Sequence, residues 1–106
     1  MSADELCRAV DLLLGQVGHW TTARWAAPSA DGDTPRRDLV HRLVQQIADL
    51  DADAEGQPRR GVPRLDNDLA LPDQLRVVTA DLIAAGPPDE VLAAAADRVR
   101  TTRIAL

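Results

Sequence analysis

The sequence predicts an all-α protein, a four-helix up-and-down bundle with a long irregular loop between its second and third helices. Three observations predict it. Of the 48 apolar residues, 18 are Ala, and Phe and Tyr are absent, so the β-branched and aromatic residues that a sandwich or barrel uses are scarce. Apolar residues recur at helical spacing in four separate stretches. Gly and Pro cluster mainly between those stretches, although Gly15 falls inside the first and weakens its second half. At 106 residues the chain is long enough for one core and too short for two, so residues 1–106 read as a single helical domain.

Ser2 followed by Glu5 reads as a capping box, which satisfies two orphan backbone N–H groups at a helix start. Leu6, Val10, Leu13, Leu14 and Val17 then form one apolar stripe, and a helix over about residues 3–18 ends at Gly18. Residues 19–28 can hold a short extra turn capped by Thr21 or Thr22. Thr34 and Pro35 read as an N-cap and the proline that suits the first helical position. The second helix carries the strongest stripe in the chain, Leu39, Val40, Leu43, Val44, Ile47, Leu50 and Ala54, and stops near Gly56.

That helix ends on Asp49, Asp51, Asp53 and Glu55, the wrong sign for the negative end of a helix dipole. Arg59, Arg60 and Arg64 follow, placed to fold back as counter-charges. Residues 57–70 hold Pro58, Gly61 and Pro63 and show no period; a loop of that length in a small domain has a task or is mobile. Pro72, Asp73 and Gln74 open a third helix with Leu75, Val78 and Leu82 inward, stopped by Gly86 and Pro87. Pro88, Asp89 and Glu90 open a fourth, with Leu92, Ala95 and Val99 on one face and Arg98, Arg100 and Arg103 at the favourable C-terminal end. The short link between the last two helices predicts antiparallel neighbours.

Composition also excludes chemistry. The net charge of −5 opposes attraction to nucleic acid or anionic lipid. Cys7 is alone, which rules out an intrachain disulfide and suits a reducing cytoplasm. Asp4 and Glu5 stand where a signal peptide carries positive charge, and no apolar run approaches a membrane span. Ser occurs only at Ser2 and Ser29, too thin an inventory for a serine hydrolase, and neither follows an Asp as the attachment serine of an acyl carrier does. The alternation at Asp49, Asp51, Asp53 and Glu55 imitates a calcium loop, but the sixth position is Ala54 and the twelfth Arg60, so the turn glycine and the bidentate ligand are missing.

Two polar or apolar groupings remain as candidate sites. Asp38 and His41, three residues apart and opposite the Leu39 stripe, form a carboxylate-x-x-His pair, which alone is short of the three ligands a zinc or iron site needs. Trp25 followed by Arg37, Asp38, Leu39, Val40, His41, Arg42 and Leu43 resembles the Trp-to-second-helix passage of DinB-like and mycothiol-dependent maleylpyruvate isomerase bundles. The resemblance covers under a fifth of the chain. It implies a helical bundle that binds a metal or small molecule, but the family's His falls one residue further on and its later His-x3-His pair has no counterpart here. No metal residue, cofactor or catalytic residue is therefore assigned.

The apolar grouping is Trp20 and Trp25 with Leu92, Ala95, Ala96 and Val99. Trp is enriched in protein interfaces, and the run Ala93 to Ala96 admits close approach of another helix, as a dimer seam would. The expected function is a non-enzymatic helical protein–protein interaction module, one that self-associates as a homodimer or docks on a larger protein partner. The alternative is a DinB-like helical bundle binding a small molecule or metal through Asp38 and His41. A DNA-binding regulator is a second alternative, suggested by the helix–Gly-Pro-Pro–helix arrangement and its arginines. The N-terminal half of a reading helix meets base edges, and here it carries Asp89 and Glu90, the wrong sign for that task.

Overall fold

The computed structural model describes residues 2–106, apart from the Ser2 side chain, and among them it is helical with no strand. Helices α1 (Ser2–Val17), α2 (Thr22–Ala26), α3 (Arg36–Ala54), α4 (Leu71–Ala84) and α5 (Asp89–Ala105) follow one another, with a 3-10 turn over Asp68–Ala70 just before α4. The four expected helices are α1, α3, α4 and α5. The extra turn is α2, where the Thr21 hydroxyl accepts the Arg24 N–H at 3.2 Å and caps the helix.

Local signals set the ends of the described helices, with the start of α3 as an exception. The expected Ser2 cap lies outside the described residues, while Glu5 accepts a 2.6 Å bond from Arg100 of α5. Pro35, not Thr34, is the cap residue of α3, because Thr34 is drawn into the preceding loop. There Ser29 N–H donates to Thr34 O at 2.8 Å, and the Asp31 carboxylate accepts the Ser29 hydroxyl and the Asp33 and Thr34 N–H groups. Those three bonds hold the Asp31 carboxyl down at about 2, below its ordinary 3.8.

One buried cluster joins α1, α3, α4 and α5, with Leu6, Leu13, Val40, Leu43, Ile47, Leu75, Leu82 and Val99 fully enclosed. At one pole Trp20 and Trp25 meet edge to face, 5.0 Å between centroids at 71°. Arg36 stacks on Trp20 at 5.1 Å and donates to the Leu106 main-chain oxygen at 3.2 Å. One side chain thus links the ends of α1 and α5 to the start of α3.

The same contacts correct the expected order. An up-and-down bundle reverses direction at every connection, but α3 and α4 run the same way. Near the start of both, Arg37 lies 3.7 Å from Asp68; toward the end of both, Asp81 of α4 acts electrostatically on Asp51 of α3. The chain leaves α3, returns along its length as an extended strap over residues 57–67, and only then begins α4. The helices also pack differently from their sequence order: α5 lies chiefly on α1 and α3, and α4 chiefly on α3, so the short link after α4 does not make α4 and α5 side-by-side neighbours. The residues after Glu55 read as a loop without period; physically they are the return stroke that parallel helices require.

Candidate functional site

The strap owes its course to one polar face of α3. Asp38, His41, Gln45 and Asp49 recur three and four residues apart and so stand in a row along the helix. Gln45 grips the strap backbone at two points: its Oε1 accepts the Val62 N–H at 2.7 Å and its Nε2 donates to Arg60 O at 2.9 Å. The same Nε2 reaches Asp49 at 2.9 Å. His41 Nε2 lies 3.2 Å from Val62 O, a carbonyl that only accepts, so this nitrogen carries the hydrogen. From α4, Gln74 Nε2 donates to Pro63 O at 3.0 Å. Arg64 closes the row on Asp38 at 2.7 Å.

Asp38 and His41 are therefore together on one helix face, as the spacing requires, but both are engaged by the strap. His41 is half-buried beneath it and not solvent-exposed. Among the described residues no three His, Cys, Asp or Glu side chains gather in a group that could hold a metal ion. Of the arginines expected as counter-charges, Arg59 reaches Asp53 at 2.7 Å and Arg64 reaches back to Asp38, while Arg60 contributes its carbonyl. Gln45 and Gln74, which carry most of the strap, escaped the sequence reading. The signal available was the i, i+3, i+7, i+11 polar row on α3 facing a segment too long for a tight turn.

The six residues expected at an interface are all in the core of the chain itself. Trp25, Ala95, Ala96 and Val99 are fully enclosed, and Trp20 and Leu92 are each 6% exposed. Ala95 and Ala96 let α5 press against α1 and α3 within the molecule, while Ala94 of the same run faces outward. Exposed apolar side chains lie elsewhere: Leu12 on α1, Ile104 on α5, and a group at the strap and α4. Leu65 of the strap and Val77 of α4 are 45% and 58% exposed and line one apolar groove of about 300 Å3 with Val62, Ala70 and Val78; Leu69, 48% exposed, lies in the adjoining 3-10 turn. Asp73 also lines this groove and pairs with Arg76 at 3.0 Å on α4, which brings both signs of charge to it, and Arg64 and Asp66 flank Leu65 in sequence.

Parallel packing leaves a mark at the other end of α3 and α4. Their negative dipole ends lie side by side, and the acidic residues there add to that charge. Burial, and secondarily the Asp81 charge, push the Asp51 carboxyl above its ordinary value, and its Oδ1 is enclosed without a partner. No helix is long and apolar enough to cross a membrane among the described residues. Comparison of the chain with protein-family models, curated proteins and solved structures gives no match, so the strap, its anchors and the groove beside it carry the functional reading.

Proposed function

We propose that this chain is a non-enzymatic helical interaction module that self-associates through the strap–α4 face. In this reading residues 1–106 act as one domain, four long helices bundled around one core, and the cytoplasm is its working compartment. The observation that carries it is the exposure of Leu65 and Val77 on a shared apolar groove. Isolated exposed hydrophobics need no explanation, but adjacent ones lining a groove are the usual mark of a docking surface. The mixed rim favours a second copy as the occupant. A two-fold contact brings the same patch to itself, so each patch must hold both signs to be complementary.

The reading also fits what the side chains are doing. Asp38 and His41, the polar pair, hold the strap that builds this face, and Arg100 of α5 is committed to Glu5 and Asp97 and is not free for a phosphate. Sedimentation velocity over a concentration series tests the proposal. The wild-type protein is expected to shift from monomer toward dimer as concentration rises, and Val77→Glu, which places a charge in the groove without touching the core, is expected to stay monomeric. A wild-type protein that is monomeric throughout the series, or a Val77→Glu protein that dimerises equally, overturns it.

A further inference from the structure

A second groove lies on another side of the molecule, between α3 and α5, with a volume of about 300 Å3. Its apolar side is built from Leu39 and Leu43 of α3, and its polar side from Arg42, Gln46, Arg98 and Thr101. Short side chains on α5 leave the room: Thr101, Thr102 and Ala105 face the leucines where longer residues would close the gap.

Arg42 and Arg98 converge on this groove from α3 and α5. Five of the twelve arginines, Arg37, Arg59, Arg64, Arg76 and Arg100, pair with a carboxylate. Arg24 and Arg36 lie over Trp20. Among the described residues neither Arg42 nor Arg98 has a carboxylate within 4.0 Å, although both line the same groove. Asp97, which also lines it, is held by Arg100 at 2.9 Å.

We propose that the α3–α5 groove binds a small organic anion, with the anionic head between Arg42 and Arg98 and an apolar body against Leu39 and Ala105. Guanidinium donors suit a carboxylate or phosphate head because their planar fork matches two oxygens at once. The Gln46 amide and the Thr101 hydroxyl supply further donors, and the leucine side favours a ligand with a hydrocarbon part over a bare inorganic ion. A pocket of mainly apolar lining with a few convergent polar groups is the usual form of a small-molecule site. This site is separate from the strap–α4 face, so its failure leaves the self-association reading untouched.

The test is a titration of the 15N-labelled protein with phenyl phosphate, with inorganic phosphate and the neutral benzyl alcohol as comparison probes. Phenyl phosphate is expected to shift the Gln46, Thr101 and Thr102 amides saturably, and each comparison probe is expected to bind at least about tenfold more weakly. The Arg42→Gln, Arg98→Gln double variant changes only exposed side chains. It is expected to keep the wild-type helical spectrum and melting curve and to lose phenyl phosphate affinity by about tenfold or more. Absence of saturable shifts up to ~10 mM phenyl phosphate, inorganic phosphate or benzyl alcohol binding as tightly, shifts centred on other arginines, or a folded double variant that binds as well as wild type overturns the proposal.

Discussion

Gln45 is the side chain on which the strap depends most, and Gln45→Ala isolates its role. The substitution removes two bonds to the strap, 2.7 Å to the Val62 N–H and 2.9 Å to Arg60 O. The Arg60 carbonyl is exposed and water replaces its partner, so that loss is worth about 0.5 kcal/mol. The Val62 N–H is partly buried and loses its acceptor, which costs about 1–2 kcal/mol. Together the strap loses about 1.5–2.5 kcal/mol, since His41, Gln74 and Arg64 still hold it. Amide hydrogen exchange reads this directly, because local opening of the strap sets the Val62 rate. The Val62 amide is expected to exchange roughly 10- to 60-fold faster, while Leu43 and Ile47 amides on the enclosed side of α3 keep their wild-type protection. A Val62 rate within about twofold of wild type would refute the assignment of Gln45 as the anchor. His41→Ala removes only the bond to Val62 O and is expected to have the smaller effect.

Three further predictions follow from the core and the charges. Trp25→Ala empties the largest fully enclosed side chain and removes the edge-to-face partner of Trp20, so urea unfolding is expected to show a loss of about 3–5 kcal/mol; a loss under about 1 kcal/mol would mean that Trp25 is not core. For pH, the folded Asp31 carboxyl at about 2 lies below its ordinary 3.8, so its contribution is fully present above the unfolded value and is lost as pH falls from about 4 toward 2. Asp51 has the opposite sign: its raised folded value makes the ionised form unfavourable at neutral pH, and that penalty is relieved on acidification. Asp31→Asn is therefore expected to flatten the acid limb of a melting-temperature profile, and Asp51→Asn to raise the melting temperature at pH 7; an unchanged acid limb or a lowered neutral melting temperature contradicts the respective assignment.

Helix positions were legible because each depends on neighbours within a few residues. The Leu39–Ile47 stripe, the Gly86–Pro88 stop and the Thr21 cap are local statements, and the structure places α3, the end of α4 and α2 accordingly. Direction and pairing were not legible. Nothing in the periodicity of Leu75, Val78 and Leu82 says which helix they meet or which way it runs. A segment rich in Pro and Gly reads alike whether it is a slack linker or a strap bound along a helix. The Ala93–Ala96 run shows the same limit, since close packing inside one chain and across a dimer asks for the same small residues, and only the enclosure of Ala95 and Ala96 separates the two. Asp38 and His41 stand on the polar side of the wheel, as their spacing predicts, but a helical wheel omits a strap arriving from more than twenty residues away in sequence.

The reading that joins these observations is that the strap, fixed by α3, builds with α4 an apolar face for a second copy of the chain. A dilution series followed by 1H–15N correlation spectra tests that claim at residue level. Concentration-dependent shifts are expected together on Leu65, Leu69, Val77 and their neighbours on α4, with the Trp20 and Trp25 indole signals unmoved. Spectra that do not change with concentration, or shifts centred on the tryptophan pole or on α5, would contradict it.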